Sequence, residues 1–242
     1  MAGPSFNMKI KDLILDILFS KVCINCGREG KYICDKCSIF VSEAMPVCPN
    51  CYNPSFLGET HQNCIKEYGL DGLTSMWDYE GLVKRLIHNI RYGGLSHIID
   101  ECVESSFKLI AADISRFNSF LSFLSSDNTY ITYVPMHIKK KKRRGFNQSE
   151  LIAKELAKKA NLRPVFGQLL EKVVDTKDQA KLEKRIGSVK ASFAINGNVD
   201  GIESVLLVDD VYITGATMRE CCKALKQSGI KKVWAFTFAR IP

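Results

Sequence analysis

Long apolar runs are missing from this 242-residue sequence. The nearest thing to one, residues 8–20, is short and is interrupted by Lys9, Lys11, Asp12 and Asp16. A spanning helix needs about 20 consecutive apolar residues, so no transmembrane segment is expected. The stretch does not have the build of a secretory signal either. It suits an amphipathic helix lying on the protein or on a partner. Residues 1–7 read as an expression scar, with Met8 as the native start. A cytoplasmic chain, peripheral at most to the inner face of a membrane, is the expectation. Without a secretion signal, the ten cysteines are expected as thiols or metal ligands, not disulfides. Low-complexity tracts are missing too, and the only internal repeat is a cysteine spacing. Histidine is scarce, with four in all, so little can rest on it. His88 and His97 fall in helical patterns and read as structural, whereas His137 follows a strand end close to the expected ligand.

What is there begins with residues 205–217, Val-Leu-Leu-Val-Asp-Asp-Val-Tyr-Ile-Thr-Gly-Ala-Thr. Four apolar residues in a row suit a strand buried on both faces. Two carboxylates, Asp209 and Asp210, follow, then a loop holding Thr214, Gly215, Ala216 and Thr217, then a helical pattern. Ligands of open parallel sheets bind past the carboxyl ends of strands. Gly215 allows close backbone approach, and amides at a helix start suit an anion. Carboxylates accept hydrogen bonds from vicinal hydroxyls, so a sugar phosphate fits both features. The stretch resembles the 5-phosphoribosyl-1-pyrophosphate (PRPP) motif of type I phosphoribosyltransferases. The resemblance implies that Asp209 and Asp210 face the ribose hydroxyls, while residues 214–217 hold the 5-phosphate, with Mg²⁺ accompanying PRPP. Tyr212 and Ile213 depart from the usual pattern, and Tyr212 is expected to project toward the base side of the site.

The second feature is a cysteine array: Cys23-x-x-Cys26, Cys34-x-x-Cys37, Cys48-x-x-Cys51 and His61-x-x-Cys64. Eight ligands suffice for two tetrahedral structural zinc sites. Sequential and interleaved pairing of the four knuckles both remain open. Cys102, Cys221 and Cys222 lie in helical patterns and read as core or helix-surface thiols.

Together these features resemble the competence protein F (ComF/ComFC) family, over nearly the whole chain. The match also rests on 13–19 as a leading helix, Arg91-Tyr92-Gly93, Tyr133-Val134-Pro135-Met136-His137, and Arg143-Arg144-Gly145-Phe146-Asn147-Gln148. Asp175, Thr176, Gln179, Leu182, Arg185 and Phe193 follow the spacing of the family's long mobile loop. The resemblance implies an α/β fold. A parallel-sheet, type I phosphoribosyltransferase-like domain over 71–242 would join a leading helix and double zinc-ribbon module over 8–66. It also implies handling of incoming single-stranded DNA in natural transformation, beside a membrane-linked helicase partner.

Hydrophobic residues at 46% and charged residues at 25% are ordinary for a soluble globular chain. Strands are predicted at 73–79, 129–134, 191–195, 205–208 and 233–238, and helices at 81–92, 98–114, 147–160 and 218–227. Residues 115–128 read as a helix with a loose end. Such alternation argues for a mostly parallel sheet covered on both faces.

The net charge is +8, and six consecutive cations occupy 139–144. Arg143 and Arg144 could hold a pyrophosphate, with Arg91 on the same side. Lys139, Lys140, Lys141 and Lys142 could track a nucleic-acid backbone. An ordinary solvated turn is the third reading. Phe146 reads as a base-stacking face or as core. Two function classes follow: a single-stranded-DNA-handling protein that binds PRPP, or an active phosphoribosyltransferase with an unidentified acceptor. No segment reads as a nucleobase selector, which favours the first.

Overall fold

Strand β6 (Ser204–Tyr212) shows why the sheet forms. Leu206 and Val208 enter one apolar core, and Val205 and Leu207 enter the other, all of them buried. A strand buried on both faces must sit inside a sheet with layers above and below. This computed structural model describes residues 21–92, 97–126, 128–160, 165–173 and 192–242. In chain order, the strands are β1 (Gly72–Asp78), β2 (Thr129–Tyr133), β3 (Val165–Phe166), β4 (Leu170–Lys172), β5 (Phe193–Ile195), β6 and β7 (Lys232–Arg240). The helices are α1 (Asp35–Ser38), α2 (Gly81–Tyr92), α3 (His97–Ala112), α4 (Asn118–Leu124), α5 (Ile138–Arg144), α6 (Gln148–Lys159) and α7 (Ala216–Gln227).

Five strands form one sheet in the order β1-β7-β6-β2-β3, and every pairing is parallel. The larger core lies under α2, α3, α4 and α6, where Leu86, Ile87, Ile98, Phe120 and Ile152 meet Leu206, Phe236 and Phe238. Met218, Cys221, Cys222 and Leu225 of α7 cover the opposite face. The expected α/β fold holds. Cys102, Cys221 and Cys222 are buried core thiols. No helix among the described residues is long and apolar enough to cross a membrane.

Three expectations need correction. The predicted strand at 191–195 does not join the parallel sheet. Its described part, β5, pairs antiparallel with β4 in a separate two-stranded ribbon. Only Phe193 of its three residues is fully buried, which suits a one-faced ribbon and not a sheet interior. Second, the cations at 139–144 do not form a turn. They make up helix α5, because Lys and Arg are good helix formers and both ends are capped. The His137 side chain accepts from the Lys139 amide, and Gly145 closes the helix at φ 87°. Third, Tyr212 does not project toward the base side. It ends β6, is buried, and donates its hydroxyl to the Pro49 carbonyl at 2.7 Å. The leading helix, Gly93, and Asp175 to Arg185 of the long loop lie outside the described residues.

Candidate functional site

The cysteine array resolves into two groups, Cys23, Cys26, Cys34, Cys37 and Cys48, Cys51, His61, Cys64, so the knuckles pair sequentially. Within each group the four ligand atoms lie within 4.8 Å of one another. Cys26 and Cys34 Sγ are 3.6 Å apart, and Cys51 Sγ is 3.4 Å from His61 Nδ1. A tetrahedral zinc site with Zn–S bonds of about 2.3 Å has S···S edges of about 3.8 Å, so both groups fit the ion. Burial raises the Cys23 thiol, but amides of Cys34, Cys26 and Asn25 outweigh it and bring it down to about 6. Burial opposes ionisation at Cys48 as well, and the amides of His61, Asn50 and Cys51 overcome it. Amides aimed at sulfur are what a bound thiolate needs. Glu101 fastens the first group to helix α3 by accepting the Tyr32 and Ile33 amides, each at 3.2 Å.

A cavity of about 420 Å³ opens past the carboxyl ends of β2 and β6, where an open parallel sheet places its ligands. Asp209 and Asp210 form its floor. Asp210 is 1% exposed and accepts two hydrogen bonds from Arg91, Nε to Oδ2 at 2.6 Å and Nη2 to Oδ1 at 2.7 Å. Burial disfavours the Arg91 charge, yet the Asp210 carboxylate more than compensates and raises its pKa. Asp209 accepts from Ser149 Oγ at 2.6 Å and from the Asp210 amide at 2.9 Å. Burial, and then the Asp210 charge, push Asp209 up to about 7 despite those hydrogen bonds. Ser149 is set by Asn147, which caps α6 by accepting the Ser149 amide and donates to the Val134 carbonyl, at 3.1 and 3.0 Å.

Thr214, Gly215, Ala216 and Thr217 form one wall of the cavity. Gly215 has φ 60°, and a Cβ there would strike the Tyr212 hydroxyl and Arg219. The first amides of α7 have no partners within the helix and carry its positive end. Across the cavity stand His137, Lys140 and Arg144. Arg144 donates to Gln148 Oε1 at 2.6 Å and lies 5.0 Å over the ring of Tyr92, which is 64% exposed. Beside them Arg91, Tyr92, Lys140, Arg143, Arg144 and Phe146 line a second niche of about 260 Å³.

The structure therefore brings Asp209, Asp210, residues 214–217, Arg91, Arg144 and Lys140 to one cavity. Lys139, Lys141 and Lys142 share helix α5 but do not line it. Lys141 is held by Glu150 at 2.8 Å.

No family model matches the chain. Among curated proteins, it is 25% identical over 234 residues to competence protein F of Haemophilus influenzae, an alignment covering 92% of this chain and 98% of that protein. It is 25% identical over 229 residues to competence protein ComFC of Bacillus subtilis, covering 91% and 84%. It is 27% identical over 216 residues to the DNA utilization protein YhgH of Salmonella typhi, covering 86% and 90%. Over about nine-tenths of its length the chain is similar to competence protein F and its relatives. Sequence reasoning missed Ser149, Lys172, Tyr52 and Arg219 as residues at or behind the cavity. Ser149 directly follows the Asn147-Gln148 signature, a signal that was available. Tyr52 follows the second cysteine of a knuckle, where Gly27 stands in the first. That contrast was also visible.

Proposed function

We propose that this protein binds PRPP with Mg²⁺ in the cavity and handles single-stranded DNA along helix α5, in a competence-related role. One observation supports the reading: an acid pair, the glycine-containing loop at a helix start and the cations Lys140 and Arg144 line a single cavity. Asp209 and Asp210 would accept hydrogen bonds from the ribose hydroxyls. The amides of residues 214–217 would take the 5-phosphate, and Lys140 and Arg144 the pyrophosphate, where a guanidinium matches two oxygens at once. Mg²⁺ would neutralise part of the pyrophosphate charge. Arg91 guards the Asp210 carboxylate, so a ligand reaching Asp210 must compete with that ion pair.

The DNA part rests on exposed Lys139, Lys140, Lys142 and Arg143 beside exposed Tyr92. Cations track a backbone, and an aromatic ring offers a stacking face. The names of the relatives, competence protein and DNA utilization protein, favour the same role. A helicase at the inner face of the membrane is the partner class the family resemblance suggests. A second reading, active phosphoribosyl transfer, is favoured by the niche beside the cavity, which has room for an acceptor. Calorimetry with PRPP and Mg²⁺, on the wild type and Asp209→Ala, tests the common core. No heat of binding by the wild type would end both readings. Pyrophosphate release that depends on an added acceptor would select the second.

A further inference from the structure

The two metal knuckles provide an internal comparison. In each, the residue after the second cysteine donates its amide to the carbonyl of the first cysteine: Gly27 to Cys23 at 2.8 Å, and Tyr52 to Cys48 at 2.9 Å. Both residues lie in the left-handed region, at φ 73° and 65°. Glycine adopts that conformation freely, and a bulky side chain does so under strain. The first knuckle meets the requirement with glycine, and the second carries a tyrosine. Metal ligation alone therefore gives no reason for Tyr52. Its side chain does: the hydroxyl donates to the Thr214 carbonyl at 2.5 Å and accepts from Arg219 Nη1 at 2.9 Å. Thr214 opens the phosphate loop, and Arg219 stands in the first turn of α7. Tyr212 returns the contact from just before the loop, reaching the carbonyl of Pro49 inside the same knuckle.

The peptide joining Thr214 to Gly215 is planar, so its carbonyl and its N–H point in opposite directions. A hydroxyl that fixes the carbonyl on the knuckle side also fixes the Gly215 N–H toward the cavity, which Gly215 lines. Donors set in place before the ligand arrives bind it without a reorganisation cost.

We propose that Tyr52 is a positioning residue for the phosphate loop. Through it, metal held by Cys48, Cys51, His61 and Cys64 is linked to anion binding at residues 214–217. The proposal rests on the PRPP reading. Linkage is reciprocal: metal at this site tightens PRPP binding, and PRPP tightens the hold on this metal by the same factor. Among the described residues the group at Cys23, Cys26, Cys34 and Cys37 shows no such contact with the loop, and it serves as the internal control.

The test uses the full zinc-loaded chain with Tyr52→Gly and Tyr52→Phe. Glycine removes the strain, and phenylalanine keeps the ring without the hydroxyl. Both variants keep two zinc ions per chain and a cooperative melt. Their Kd for PRPP with Mg²⁺ rises about five-fold or more, the factor for one hydrogen bond. In equilibrium competition with a chelator, PRPP protects one of the two wild-type zinc ions and neither ion of the variants. A wild type that binds PRPP, with variants of equal Kd or with zinc retention blind to PRPP, overturns this proposal alone. A wild type that binds no PRPP overturns it together with the reading it rests on.

Discussion

Arg91 and Asp210 form a two-point ion pair across 119 residues of sequence, tying the last turn of α2 to β6. Asp210 is 1% exposed, so its carboxylate has no water to fall back on when the guanidinium is removed. Arg91→Ala should cost about 3 kcal/mol, the range for breaking a buried pair from one side. Arg91→Ala with Asp210→Asn should recover part of that loss, because the stranded charge is gone. Urea denaturation of the three variants checks this, and an unchanged midpoint for Arg91→Ala would contradict it.

Asp209 sets a pH dependence whose sign is fixed by its pKa of about 7. Its unfolded value is about 3.9, so the folded chain holds the proton more tightly between those values. The stability this proton contributes is complete below about pH 4 and is lost as pH rises through 7. Ligand binding runs the other way, since only the carboxylate accepts two hydroxyl hydrogen bonds. PRPP affinity should rise from pH 6 to 8 more steeply in the wild type than in Asp209→Asn. The ligand's own phosphates titrate equally in both, so the difference isolates Asp209. Calorimetry at three pH values decides, and parallel profiles would remove Asp209 from the binding step.

Metal analysis of chain purified without chelator should give two zinc ions. Cys37→Ser and Cys64→Ser should each give one, because each removes a ligand from a different group. Each ion contributes on the order of 10 kcal/mol to folding its module. A folded module with free thiols and no metal would refute this.

Helix α5 makes the lysines unequal. Lys141 is occupied by Glu150, whereas Lys139, Lys140 and Lys142 are exposed. Replacing those three with Gln should flatten the salt dependence of single-stranded DNA binding by about 0.7 per lost phosphate contact. All sequences should weaken alike. Arg144→Ala should damage PRPP binding more than DNA binding. A fluorescence salt titration separates the cases, and an unchanged slope would assign α5 to the solvent.

The sheet was legible because its signals are local. The run before Asp209 suits a strand buried on both faces, and 81–92 carries its apolar residues at helical spacing. The sequential metal pairing was not legible, since x-x spacing fixes which two ligands share a knuckle but not which knuckles share an ion. Helix α5 was hidden because a run of cations has no apolar face. Only its caps, His137 and Gly145, mark it. The direction of Tyr212 was hidden for a different reason. Its partner, Pro49, is 163 residues away, and no local pattern encodes a contact of that span.

The contact between Tyr52 and Thr214 also sets a schedule for biosynthesis. The two residues are 162 positions apart, and a ribosome adding about 5–20 residues per second separates them by about 8–30 s. During that interval the second knuckle exists without the wall it will later brace. Metal captured at that stage would gather Cys48, Cys51, His61 and Cys64 before the loop exists. A chain made while zinc is scarce would therefore reach its ligand cavity with the brace for that wall not yet formed.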